Sequence, residues 1–199
     1  MIIGITGTLA SGKSTIALLL SESKNAHVLN ADEITHKILR DNKSIMEKLA
    51  ARFGKAIFTD GGNIDRKELG RIVFFDRQKL KALCAIIHPE IIREIKKSTE
   101  NIFKENKDAL VIIDAPLLIE SGLHDFCDYV IVVSASIENI INRLKKHLAL
   151  DEEQALKRIR AQMPIKEKEK YADYIIENNG SLEELKEKAK GLVKKIGTI

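Results

Sequence analysis

Apolar residues follow two rhythms along this chain. Short unbroken runs at residues 2–6, 27–30, 109–113, 129–133 and, with a weaker pattern, 173–176 have the length of strands covered on both faces. Between them apolar positions recur every three or four residues, as on helices with one buried face. The clearest stripe is the last: Leu182, Leu185, Ala189, Leu192, Val193 and Ile196 share one face, lysines and glutamates fill the other, and Ser181 with Glu184 supplies a capping box. A second stripe, Ile137, Ile140, Ile141, Leu144 and Leu148, follows the fourth run and leaves Arg143 and His147 on another side, available to a ligand. Strands and helices in alternation predict an α/β fold in three layers, with helices on both faces of a five-stranded parallel sheet.

Almost eighty residues separate the second run from the third, far more than a crossover needs. They read as several helices over 33–107, broken by the turn-forming cluster Thr59-Asp60-Gly61-Gly62-Asn63. Such an insertion is the natural place for substrate recognition. The expected organisation is one domain over 1–199, with a core of about 1–32, 108–142 and 172–199, a helical insertion of about 33–107 and a small helical lid of about 143–171.

Composition narrows the function classes. With 199 residues, 44% apolar and 31% charged, the chain has the balance of a folded domain and not of a disordered one. No leader is expected, because Lys13 interrupts any signal core, and the apolar run at 129–135 is far shorter than the roughly 18 residues of a membrane span. Cys84 and Cys127 lie far apart without zinc or disulfide spacing, and are expected to be reduced packing residues in the cytoplasm. The net charge is +4, and residues 143–170 hold nine Lys and Arg against five Asp and Glu, the whole excess. A local basic element of this kind favours an anionic small ligand over nucleic acid.

The chemistry begins at Gly7-Thr8-Leu9-Ala10-Ser11-Gly12-Lys13-Ser14, which fits G-x-x-x-x-G-K-[ST] between a buried strand and a helix containing Ile16, Ala17 and Leu20. Gly7 and Gly12 permit backbone angles that aim successive N–H groups at a polyphosphate, and the helix N-terminus adds partial positive charge. Gly7, Ala10, Ser11, Gly12, Lys13, Ser14 and Thr15 are therefore the candidate ATP-binding residues, with Lys13 bridging the β- and γ-phosphates and Ser14 ligating Mg²⁺.

Three further features carry two readings each. Asp114 closes the third run, where a carboxylate holds Mg²⁺ directly or through water, or simply forms a turn. Asp32 follows the second run, where it accepts a hydroxyl proton, caps the helix beginning at Glu33, or does both. The basic residues Arg143, Lys145, Lys146, Lys157, Arg158 and Arg160 form either a phosphate clamp or a solvated helix face, with Arg143 the best single candidate for the clamp. A guanine-nucleotide switch would normally show Asn-Lys-x-Asp; Asn42-Lys43-Ser44-Ile45 and Asn106-Lys107-Asp108-Ala109 both lack the final aspartate. Kinases of other metabolites share loop, sheet and lid, so the acceptor is not fixed by these features alone.

Read end to end, the chain resembles the dephospho-CoA kinase family. The likeness rests on Gly4-Ile5-Thr6-Gly7, Ala31-Asp32, Phe53-Gly54, Asp65-Arg66 with Leu69 and Val73-Phe74, His88-Pro89, Pro116-Leu117-Leu118 with Glu120, Arg158-Ile159 with Gln162, Ala172-Asp173, and Asn178 with Gly180. The resemblance implies a P-loop kinase fold, with ATP and Mg²⁺ as cofactors and dephospho-CoA as substrate. It implies that Asp32 is base or orienter of the ribose 3′-hydroxyl, that Arg66, His88, Pro116, Leu117 and Leu118 line the substrate pocket, that Asn178 belongs to the nucleotide site and that a lid carries Arg143. Without the resemblance, His88 before a proline reads as a helix-boundary or core histidine and Arg66 as a surface ion-pair partner. The chain departs from the family at His147, where a second lid arginine is common, and at Ile140, where a glutamine is frequent.

Overall fold

The first strand, β1 (Ile2–Gly7), buries Ile3 and Ile5 completely and lies at the centre of the sheet. With β2 (Ala26–Asn30), β3 (Leu110–Asp114), β4 (Tyr129–Ser134) and β5 (Tyr174–Glu177) it forms a parallel sheet in the order β2-β3-β1-β4-β5. The computed structural model describes residues 1–22, 25–73, 76–148 and 152–196, without the side chains of His147, Leu148, Glu152, Gln154, Ala155 and Arg158. β-Branched runs suit the central strands because both faces are covered: Val111, Ile112, Ile113, Ile131, Val132 and Val133 are all fully buried. Val28 and Ile175, on the two edge strands, stay partly exposed.

One face of the sheet is covered by α1 (Lys13–Ser21) and α9 (Leu182–Ile196), whose Ile16, Ala17, Leu20, Leu185, Ala189, Leu192 and Ile196 pack with Ile3, Ile5, Ile131, Val133 and Ile176. Each large aliphatic side chain buried there contributes about 1.5–3 kcal/mol before conformational entropy is counted. Ser181 caps α9 by accepting the Glu184 N–H at 3.2 Å, as its sequence pattern predicts. The stripe is narrower than expected, since Leu182 is 50% and Val193 37% exposed. Leu182 is the first residue of α9, and Val193 lies one position, about 100° of helix turn, past the buried Leu192. In α6 (Ile137–Leu148), which α7 (Glu152–Arg160) and α8 (Ile165–Lys168) follow in the chain, Ile140 and Leu144 are buried, whereas Ile137, the first residue, is 61% exposed.

The chain divides into two compact units, Met1–Asn30 with Thr99–Ile199, and Ala31–Ser98. The second is helical: α2 (Ala31–Asp41), α3 (Lys43–Phe53), α4 (Arg66–Val73) and most of α5 (Arg77–Glu105) surround Ile38, Leu39, Ile45, Leu49, Ile57, Leu69, Val73 and Ile87. Asn42 caps α3 through the Ile45 N–H at 3.1 Å and ties it to α5 by donating to Glu90 at 2.7 Å. The Thr59 to Asn63 cluster is the turn expected, closed by the Thr59 N–H on the Asn63 carbonyl at 2.8 Å.

Two local expectations change here. Asp32 is not the N-cap of its helix but lies within the first turn of α2, which begins at Ala31; there its charge complements the helix dipole. His88 is not at a helix boundary, because α5 runs through Pro89 for 29 residues. Proline costs the helix the hydrogen bond to the carbonyl of Ala85, a residue on the exposed side of α5.

Candidate functional site

The end of β1 is the starting point, since the loop leaving it takes backbone conformations that few residues adopt. Gly7 has φ 148°, Gly12 has φ 102°, and Ala10 is left-handed at φ 59°. A side chain on Gly7 would run into the Val133 carbonyl of β4, and one on Gly12 into the Asn178 amide. Gly12 then opens α1 without any side-chain cap, and the first turn carries no acid. With no side-chain cap in place, the positive end of the helix dipole at the start of α1 suits an anion. The buried Ser11 hydroxyl also has no hydrogen-bond partner. A glycine-bent loop of this kind at a helix start fits a polyphosphate.

Lys13 is buried and folds back over the loop, its Nζ donating to the Thr8 carbonyl at 3.0 Å. Ser14, next along α1, donates its hydroxyl to Asp114 Oδ2 at 2.6 Å, and Asn30 Nδ2 donates to the same oxygen at 3.2 Å. Asp114 is the last residue of β3 and 3% exposed; parallel pairing sets it beside Asn30 on one side and Ile5 on the other. A hydroxyl and a carboxylate oxygen this close, next to a phosphate site, are the hard donors Mg²⁺ takes from protein while phosphates and water complete its shell. Among the described residues no group of three His, Cys, Asp or Glu offers an alternative metal centre.

Arg143 and Asn178 meet the same loop. Arg143 is half-buried; its Nη1 donates to the Ala10 and Ser11 carbonyls at 3.2 and 3.4 Å, and its Nη2 to the Asn178 carbonyl at 2.8 Å. Asn178 is buried and donates Nδ2 to the Ser11 carbonyl at 2.8 Å. Beneath them Ile140 and Leu144 pack against Leu9 and Ala10, which gives the departure at Ile140 a role as apolar support for the loop. Thr15 is half-buried in the first turn of α1.

Of the other expected site residues, Pro116 and Leu117 are half-exposed, whereas Leu118 is wholly buried. A Cβ at Gly4 of β1 would lie 2.7 Å from the Leu118 side chain, so Leu118 anchors this turn and does not line an open surface. Asp32, Arg66 and His88 belong to the helical unit, with Asp32 and Arg66 exposed and His88 half-buried. Lys145, Lys146 and Arg160 are exposed, and Lys157 pairs with Glu153 at 2.6 Å. Phe74 lies outside the described residues, as do the side chains of His147 and Arg158.

The sequence reading gave no role to Asn30, Thr6, Gln162, Glu120 or Lys168. Thr6 Oγ1 donates to the Pro116 carbonyl at 3.1 Å, and the Leu9 N–H is taken by Gln162 Oε1 at 3.1 Å. Asn30, ending a strand opposite Asp114, is the one whose position carried a signal.

Comparison with known proteins identifies the family. A family model described as dephospho-CoA kinase matches residues 1–184. A dephospho-CoA kinase of Carboxydothermus hydrogenoformans is 40% identical over 98% of this chain and 93% of its own, and one of Fusobacterium nucleatum is 44% identical over 93% of each. The solved structure of a dephospho-CoA kinase from Campylobacter jejuni superposes with a TM-score of 0.70 at 30% identity, covering 100% of this chain and 98% of that one.

Proposed function

The chain belongs to the dephospho-CoA kinase family, and from that premise we propose how its residues divide the work. The reaction is phosphorylation of the ribose 3′-hydroxyl of dephospho-CoA by ATP, which yields coenzyme A and ADP and completes coenzyme A biosynthesis. The observation that carries the reading is the uncapped start of α1, with Ser14 and Asp114 in contact beside it. Gly7, Ala10, Ser11, Gly12, Lys13, Ser14 and Thr15 hold the ATP phosphates, and Lys13 leaves the Thr8 carbonyl for the β- and γ-phosphates. Ser14 and Asp114 hold Mg²⁺, which when bound neutralises phosphate charge. Asn30 orients the Asp114 carboxylate for that task.

Phosphoryl transfer passes through a loose transition state, so positioning and electrostatics carry most of the acceleration. Asp32 orients the acceptor hydroxyl and takes its proton. Arg66, His88, Pro116 and Leu117 contact dephospho-CoA, the helical segment 33–107 receives it, and the basic segment 143–171 closes as a lid. For Arg143, the hydrogen bonds to Ala10, Ser11 and Asn178 favour bracing the phosphate loop over acting as a free clamp. No described helix is long and apolar enough to cross a membrane, and we place the enzyme in the cytoplasm, acting on small molecules without nucleic acid.

The test is purified protein with Mg-ATP and a panel of acceptors, following ADP and phosphorylated product together. ADP and coenzyme A should appear one for one with dephospho-CoA; faster phosphorylation of a nucleoside, nucleotide or shikimate-like acid would overturn the assignment.

A further inference from the structure

Lys168 is the one lysine with no exposed surface among the described residues, and its side chain has no part in the transfer chemistry set out above. Its Nζ donates to the Pro116 carbonyl at 2.6 Å and reaches the Glu120 carboxylate at 2.9 and 3.1 Å. Burial pushes its pKa down, while Glu120 pulls the other way. A buried ion pair of this sort contributes little net stability, because desolvation offsets its Coulomb attraction, so its presence calls for another explanation.

One end of the network arrives at the phosphate loop and the other at the end of β1 that leads into it. Glu120 Oε1 accepts the Met163 N–H at 3.0 Å, which fixes the backbone one residue after Gln162, and Gln162 Oε1 accepts the Leu9 N–H inside the loop. At the other end, the Pro116 carbonyl shared by Lys168 also accepts Thr6 Oγ1, in the residue before Gly7. Glu120 and Gln162 are thereby tied together, although 42 residues apart in sequence and without any role in the transfer itself.

We propose that Lys168 and Glu120 form a positioning pair for phosphoryl transfer: through the Met163 N–H they hold Gln162 on the Leu9 amide and so fix the phosphate loop against the segment returning from the lid. The pair acts through the residues it holds, Met163 and Pro116. Its effect passes through the orientation of the loop, where a small misplacement costs turnover.

This inference rests on the kinase reading above, and the test separates the two. Lys168→Met, Gln162→Ala and the double variant are assayed well below their melting temperatures, with rates corrected for folded fraction by circular dichroism. Each single change is expected to lower kcat about tenfold with KM for dephospho-CoA within about twofold of wild type, and the double to be no worse than either single, since both break one connection. A merely structural Lys168 would lower the melting temperature and leave kcat per folded molecule unchanged. Unchanged kcat in the single variants, or losses that multiply in the double, would overturn the proposal. If Lys168→Met does not fold, Gln162→Ala decides alone, and wild-type kcat in that variant sinks the idea. Failure of the wild-type protein to make coenzyme A in the same assay would instead strike at the kinase reading.

Discussion

Arg143→Ala removes the guanidinium that ties three backbone carbonyls together. The bond from Nη2 to Asn178, at 2.8 Å, is short and charge-assisted; those from Nη1 to Ala10 and Ser11, at 3.2 and 3.4 Å, share one nitrogen and count as a single three-centre contact. Hydrogen bonds from a charged donor are worth about 1.5–3 kcal/mol each when buried, and the half-exposure of Arg143 brings each nearer 1, for a total of about 2 kcal/mol. Two of the three acceptors lie in the phosphate loop, so the loss is expected in nucleotide binding: about 2 kcal/mol corresponds to a roughly 30-fold weaker Kd for ATP. Spent on global stability instead, it would lower Tm by about 4–8 °C. Calorimetric titration with a non-hydrolysable ATP analogue, beside a thermal melt, distinguishes the two. Arg143→Lys should recover only part of the affinity, because one ammonium cannot span carbonyls on both sides. ATP affinity within twofold of wild type, with kcat down a thousandfold, would refute the bracing role and restore the arginine as a clamp on the transferring phosphate.

Gly12→Ala should nearly abolish nucleotide binding and cost stability, since φ 102° strains an L-residue by about 1–2 kcal/mol and the new methyl displaces the Asn178 amide from the Ser11 carbonyl; the same titration and melt measure both. Burial, reinforced by Asp128, pushes the Cys127 thiol from 9.0 up to about 12, so at pH 8 its thiolate is about a thousandfold scarcer than that of an open cysteine. Iodoacetamide should therefore spare Cys127 in the folded protein and label it in urea, as peptide mass mapping would show; labelling at equal rates contradicts this burial. In linkage the raised thiol keeps its proton in the fold while the unfolded chain loses it above pH 9, so stability is intact below that pH and declines from pH 9 towards 12.

The parallel sheet and the loop were legible because each is a local pattern. Unbroken β-branched runs mark strands with two covered faces, and the loop motif fixes glycines where the backbone needs them. Strand ends were harder: Gly7, Asp114, Ser134 and Glu177 each end a strand beyond its last apolar residue, since hydrogen bonding continues after the hydrophobic signal stops. Amphipathic stripes overstated burial at Ile137, Leu182 and Val193 because periodicity says which side faces inward and not how far the neighbouring layer extends. His88-Pro89 read as a helix end because proline disfavours helical geometry before it, yet a long helix absorbs one missing bond. The contacts of Lys168 and Gln162 were out of reach, since each depends on residues 48 or more positions away and lysine is rarely buried. Arg66 and His88 drew their assigned roles from family resemblance, and Asp32, already a candidate from its place after the second run, needed the resemblance to favour that role over a structural one, because a carboxylate at a helix start or an exposed arginine has ordinary structural uses as well.

Asp32 is the residue proposed to orient the acceptor hydroxyl and take its proton. The rate of coenzyme A formation by Asp32→Asn, at saturating Mg-ATP and dephospho-CoA, tests that role most directly. Positioned proton transfer contributes about 10²–10⁴-fold, and a loose transition state puts the expectation at the lower end. Turnover should fall about a hundredfold while ATP affinity stays within about twofold of wild type; coenzyme A formation at nearly the wild-type rate would contradict the mechanism.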